Sequence, residues 1–221
     1  MHQNLLKSGP PHFCPVDARR PYGANRYFVV SPKAGRRITI FGVKALNCWI
    51  ELEADPLVAK LCERPIRIPD SPRPKTADFW ASGPKLNEYI LLGGAKRKGT
   101  RGEPKELPYA AFRAWATEVG CTVRDISIDD DSDKGEIWYG NWIEILQYIS
   151  AFNTYLKPDD LRQARGFVEN RVTVENVLRV HAQGNEDQLR AAIFTLVHRG
   201  ILRFVDIGKE RLSDLLEIEP A

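Results

Sequence analysis

The sequence predicts an α/β fold, a mixed central sheet covered by helices, followed by a small and mainly helical second unit. Three observations predict it. Between residues 27 and 155 strand-like and helix-like runs alternate, the order expected when helices cover a sheet. One of these runs, Tyr89-Ile90-Leu91-Leu92, is continuously apolar and bounded by polar and glycine residues, which fits a central strand buried on both faces. After Lys157-Pro158 the pattern turns to helical periodicity. The expected organisation is an arm over residues 1–25, an α/β unit over 26–157 and a second unit over 158–221.

The arm, with Pro10-Pro11, Pro15, Pro21 and Arg19-Arg20, is expected to lack regular structure. Two β-rich runs follow, 27–30 and 37–41, joined by Ser31-Pro32-Lys33-Ala34-Gly35 as a hairpin. From Val43 to about Glu53 the spacing of Ala45, Leu46, Trp49, Ile50 and Leu52 predicts a helix. Asp55-Pro56 interrupts it, and a second short helix is expected over 57–62, ended by Pro65. Short strands are expected at 66–68, 76–81 and 88–93, and the basic, glycine-rich stretch 93–102 reads as a loop. Pro108 opens a helix that places Phe112, Trp115, Ala116 and Val119 on one face, with Gly120 as its stop.

A strand over 122–128 then leads into the acidic run Asp129-Asp130-Asp131-Ser132-Asp133. That run lacks the glycine and glutamate spacing of a calcium loop and reads as a solvated loop. Asn141 is the expected cap of a helix reaching about Tyr155, striped by Trp142, Ile145, Leu146, Ile149 and Phe152. Thr173 caps the next helix, and Asn185 with Gln188 forms a capping-box-like start for another. There Leu189, Ala192, Ile193, Leu196 and Val197 share a face that ends at Gly200. Residues 201–205 read as a strand, with 213–218 returning to the body and Gly208-Lys209 at the intervening turn. Helices, then a strand with such a turn, are the layout of a winged helix.

Composition bounds the function classes. With 43% hydrophobic and 28% charged residues the chain is of ordinary globular type rather than disordered. No run approaches the ~18 apolar residues of a membrane span, and the polar, proline-punctuated start lacks the parts of a secretory signal. A cytoplasmic protein with no membrane partner is therefore expected. Cysteines 14, 48, 62 and 121 form no CxxC pair, so neither a zinc knuckle nor a disulfide framework is indicated. The five tryptophans read as core rather than as base-stacking platforms.

Charge is uneven. Residues 1–100 carry 17 Lys and Arg against 8 Asp and Glu, and residues 101–221 carry 15 against 21. A basic half fits contact with a polyanion, because neutralising phosphates releases counterions; a solvated basic face gives the same count. The stretch from Asp160 onward is balanced, 9 Lys and Arg against 10 Asp and Glu, which suits protein docking at least as well as DNA.

Several phrases carry a resemblance. They are Leu52-Glu53-Ala54-Asp55-Pro56-Leu57-Val58, then Cys62-Glu63-Arg64-Pro65, then Thr76-Ala77-Asp78-Phe79, and finally Tyr139-Gly140-Asn141-Trp142 running on to Ile149. Together with the stretch from Ser31 to Ile68 they resemble the TnsA transposition endonucleases, and the similarity covers most of the chain. The resemblance implies a PD-(D/E)XK, restriction-endonuclease-like domain with a winged-helix-like tail, belonging to a bacterial mobile element. It implies DNA nicking at 5′ transposon ends beside a separate transposase, so that DNA and a transposase or ATPase subunit are the expected partners.

Such chemistry uses Mg²⁺, which carboxylate oxygens hold and which activates water. The family places a glutamate on the helix, an aspartate in the "PDF" strand, and a carboxylate or amide two residues before a lysine on the next strand. Only the aspartate has a clear counterpart, Asp78, which is expected to be a metal ligand or a vestige of one. No acid occurs in 41–48, and the next strand reads Ile90-Leu91-Leu92-Gly93-Gly94. Two readings stay open, a catalytically impaired DNA-binding protein without cofactor and an active Mg²⁺ enzyme with Glu88 and Lys96 displaced into the missing roles. A third is an unrelated winged-helix adaptor or regulator. For phosphate contact the candidates are Lys96, Arg97, Lys98 and Arg101, extended by Arg36, Arg37, Arg19 and Arg20.

Overall fold

The computed structural model describes residues 9–93, 108–126 and 134–221 of the 221. The expected basic loop, including Lys96, Arg97, Lys98 and Arg101, and the acidic run 129–133 lie outside the described residues. The protein is mixed α/β, with six helices and a mixed four-stranded sheet among the described residues. Its chain divides into two compact units. The first takes its described residues from Met1–Val29, Arg37–Leu52 and Leu57–Asp131, and the second from Val30–Arg36, Glu53–Pro56 and Ser132–Ala221.

The first regular elements are β1 (Arg26–Ser31) and β2 (Arg36–Phe41), paired as a two-stranded sheet. The helix α1 (Val43–Ala54) follows, with Cys48, Trp49, Ile50 and Leu52 buried along it. The four-stranded sheet is built from β3 (Lys60–Glu63), β4 (Phe79–Gly83), β5 (Leu86–Leu92) and β6 (Thr122–Ile126), in that spatial order. β3, β4 and β5 run antiparallel, and β6 joins β5 in parallel. A parallel neighbour needs a crossover, and the helix α2 (Ala110–Glu118) lies within that connection. Asp70 Oδ2 accepts from the Ala111 N–H at 3.0 Å at the start of this helix, satisfying one of its free donors.

Residues 57–62, expected as a short helix, instead contribute β3. Each residue from Lys60 to Glu63 finds a ladder partner on β4, from Ser82 to Phe79. The pairing overrides a local spacing that suits a helix as well as a strand. Gly83 makes the approach to β3 possible, since a Cβ there would stand 1.8 Å from the Leu57 carbonyl oxygen.

Register sets the two faces of the sheet. Cys62, Trp80, Tyr89, Leu91 and Val123 share one face, where they pack with Phe112 and Ala116 of α2 in one apolar cluster. Phe79, Ala81, Glu88, Ile90 and Arg124 share the other. The Cys48 thiol on α1, pushed up by burial, also feels the charges of Arg124, Asp78 and Glu88, so α1 lies toward that second face. As expected of a central strand, Tyr89, Ile90 and Leu91 are fully buried. The arm has no helix or strand over 9–25, yet it is fastened: His12 is buried, hydrogen-bonds the Tyr89 hydroxyl at 2.7 Å and meets Trp80 edge-on.

In the second unit α3 (Glu136–Phe152), α4 (Pro158–Gly166), α5 (Val174–His181) and α6 (Glu186–His198) precede or flank a small antiparallel sheet. That sheet has the order β7-β9-β8, from β7 (Val172–Thr173), β8 (Leu202–Phe204) and β9 (Glu217–Pro220). Thr173 caps α5 as expected, its Oγ1 accepting from the Asn176 N–H at 3.2 Å. Pro158 opens α4, while Asp160 Oδ2 accepts the Lys157 N–H at 2.8 Å.

Two capping expectations are corrected. Asn141 lies inside α3, not at its start, and is buried. Its amide donates to the carbonyls of Ile207 and Glu210 at 2.6 and 2.7 Å, and its oxygen accepts from the Leu212 N–H at 2.8 Å. It therefore holds the β8–β9 connection, satisfying backbone groups a loop would otherwise leave unpaired. Asn185 is the N-cap residue of α6 but makes no side-chain cap bond, and Gln188 reaches Asp160 Oδ2 at 2.9 Å instead.

Candidate functional site

The first unit carries a cleft of about 520 Å³, lined from the arm, β2, the start of α1 and the segment leading into β4. Asp78 sits on its wall, one residue before β4. The Asp78 N–H donates to the Ile90 carbonyl at 2.9 Å, and Asp78 Oδ2 accepts the Leu92 N–H at 2.6 Å. Burial raises its carboxyl to about 6, partly offset by that amide and by the positive charge of Lys75. Lys75 itself donates to the Leu92 carbonyl at 3.3 Å and lies over the Tyr109 ring.

The positions where a next-strand ligand and a lysine would stand follow from the register. Ile90 is directly opposite Phe79, and Leu92 is two residues on, on the same face. Both are apolar, so neither can supply an oxygen ligand or an ammonium. Glu88 faces the same side, but it is opposite Ala81, two steps along β5 from Ile90, and its carboxylate is held by Arg124 at 2.7 Å. It does not line the cleft. Lys96, the other displaced candidate, lies outside the described residues.

Two anionic ligands, or one with substrate phosphates, are what normally offset the dehydration of Mg²⁺. Asp78 has one oxygen committed to an amide, and its neighbours on β5 are apolar, so the family's next-strand positions supply no second ligand for that ion. Among the described residues no group of three or more His, Cys, Asp or Glu stands together as a metal site.

What the cleft does offer is positive charge. Arg19 and Arg20 of the arm line it, as do Arg64, Arg67 and Lys75. Three acids share the lining, Asp17, Glu63 and Asp78. Of the residues expected to contact phosphate, Arg19 and Arg20 are there, whereas Arg36 and Arg37 at the start of β2 are not among the lining residues. Arg64, Arg67 and Lys75 were not expected from the sequence. Arg64 lies inside the phrase Cys62-Glu63-Arg64-Pro65 and Lys75 three residues before Asp78, but neither position marks a side chain as lining a cleft.

Arg64 is unusual in its backbone as well. Its φ is +44°, although the residue before a proline is normally extended. The conformation is held from both sides, by the Arg64 N–H donating to the Asp78 carbonyl at 2.8 Å and the Val16 N–H donating to the Arg64 carbonyl at 2.9 Å. The guanidinium lies over the Phe41 ring, 4.6 Å from its centroid. Its Nη1 is buried and has no hydrogen-bond partner among the described residues.

No helix among the described residues is long and apolar enough to cross a membrane. No protein-family model matches this chain, and no curated protein matches it.

Proposed function

We propose that the chain is a TnsA-like transposition protein whose nuclease-type scaffold binds DNA but no longer cuts it. One observation carries the reading: Asp78, one residue before β4, stands in a cleft lined by five cationic side chains, while the β5 residues it bonds to are Ile90 and Leu92. The order of helix, an aspartate leading into a strand, and an antiparallel next strand supports the family's arrangement, and the mixed sheet is compatible with a restriction-endonuclease-like core. The helices and antiparallel sheet of the second unit agree with a winged-helix-like tail. Its balanced charge suits docking on a transposase or ATPase subunit of the same element. The excess of cations over acids in the cleft supplies sequence-independent attraction for the phosphate backbone.

The test is fluorescence anisotropy of a labelled DNA duplex titrated with the full chain over a series of salt concentrations. Binding that weakens linearly in log affinity against log salt supports the reading, with a slope of roughly 0.9 per phosphate neutralised. Absence of binding at low salt refutes it.

A further inference from the structure

We propose that Arg64 receives an oxygen of a nucleic-acid phosphodiester in the cleft beside Asp78. The inference rests on the DNA-binding reading and adds to it the residue that takes the phosphate.

A buried cationic N–H without an acceptor is costly, and native structures keep such a group where a ligand or strain gives it a purpose. Among the described residues Arg64 Nη1 is such a group, and it belongs to a side chain on the cleft wall. The guanidinium rests over the Phe41 ring, a contact that restrains the side chain, so it loses less freedom when it meets an anion. The positive φ adds a second sign, since a non-glycine residue in that conformation persists when its surroundings over-determine it, and such residues cluster at ligand sites. Burial pulls the guanidinium's pKa down while Glu63 and Asp17 pull it back up only through their charges. An entering phosphate oxygen would supply the hydrogen bond those acids do not.

Phosphate suits the geometry because a planar guanidinium matches two oxygens of one tetrahedral group. A polymer suits it better than a lone anion, since Arg19, Arg20, Arg67 and Lys75 spread further positive charge along the same cleft.

The experiment compares wild type, Arg64→Asn and Arg64→Lys by anisotropy on labelled duplex and single-stranded DNA across a salt series. Asparagine tolerates the left-handed backbone, and the circular dichroism melt of each variant checks the fold. The expected result is at least a five-fold loss of affinity for Arg64→Asn, with the duplex salt slope reduced by roughly 0.9. Arg64→Lys is expected to keep the slope and recover part of the affinity. Wild-type binding with an unchanged slope in Arg64→Asn overturns the inference and leaves the DNA-binding reading standing, whereas no wild-type binding overturns both. Inorganic phosphate is the second arm. Calorimetric phosphate binding that is lost in Arg64→Asn, while the affinity for DNA is unchanged, would assign Arg64 to the free ion and overturn the polymer.

Discussion

Replacing Asp78 by asparagine keeps an oxygen able to accept the Leu92 N–H and removes the charge that the cleft wall disfavours. In the native protein the carboxyl is raised from 3.8 to about 6, so the folded state holds its proton more tightly than the unfolded chain does. Stability from this group is therefore full below about pH 4 and falls as the pH rises to about 6. Two units at 1.36 kcal/mol each set a ceiling of about 3 kcal/mol at neutral pH. Asp78 is only half-buried and has Lys75 nearby, so solvent screening brings the expected gain to about 1–2 kcal/mol. Urea unfolding of wild type and Asp78→Asn, followed by tryptophan fluorescence at pH 4 and pH 7, reads this directly. The two proteins should unfold together at pH 4, and the variant should be the more stable at pH 7. His12, held below its ordinary value by burial, titrates in both proteins and cancels in the comparison. A variant less stable at pH 7, or more stable by the same amount at both pH values, would refute the reasoning.

Three other outcomes follow from buried contacts. Glu53 is fully buried and is shared by the Ser31 hydroxyl and His198 Nε2, the latter at 3.0 Å, so Glu53→Ala should cost about 3–5 kcal/mol in denaturant unfolding and Glu53→Gln much less. Asn141→Ala removes three hydrogen bonds to the β8–β9 connection and should cost about 2–3 kcal/mol, with faster amide exchange over 205–212 as its local signature. Gly83→Ala forces a methyl against the Leu57 carbonyl and should cost about 1–3 kcal/mol, measured by thermal melting.

Much of the α/β unit is legible in the sequence because its signals are strong and local. The β1–β2 hairpin, α1, the buried run of β5 and the α2 face appear where periodicity and turn residues put them. β3 was hidden because Leu57 to Cys62 has a spacing that a short helix and a strand share, and only the β4 ladder decides. Asn141 misleads for a related reason. An asparagine before an apolar stripe looks like a cap, but α3 begins five residues earlier and the side chain serves a loop some 70 positions away in sequence.

The candidate site divides the same way. Asp78 is legible from its motif, and the lack of ligands on β5 is legible from Ile90 and Leu92, although the hydrogen bonds of Asp78 to those two residues were needed to say which positions adjoin it. Arg64, Arg67 and Lys75 were not legible, since a cleft formed by distant segments leaves no periodic trace in the chain. The arm read as irregular proves to line that cleft with Arg19 and Arg20, an arrangement fixed by the burial of His12 on Tyr89.

Nicking of supercoiled plasmid DNA by the full chain in Mg²⁺ or Mn²⁺, at concentrations that saturate DNA binding, tests the central claim most directly. The predicted result is bound, uncut plasmid, the same for wild type and Asp78→Ala. Divalent-ion-dependent nicking by wild type that disappears in Asp78→Ala would contradict it.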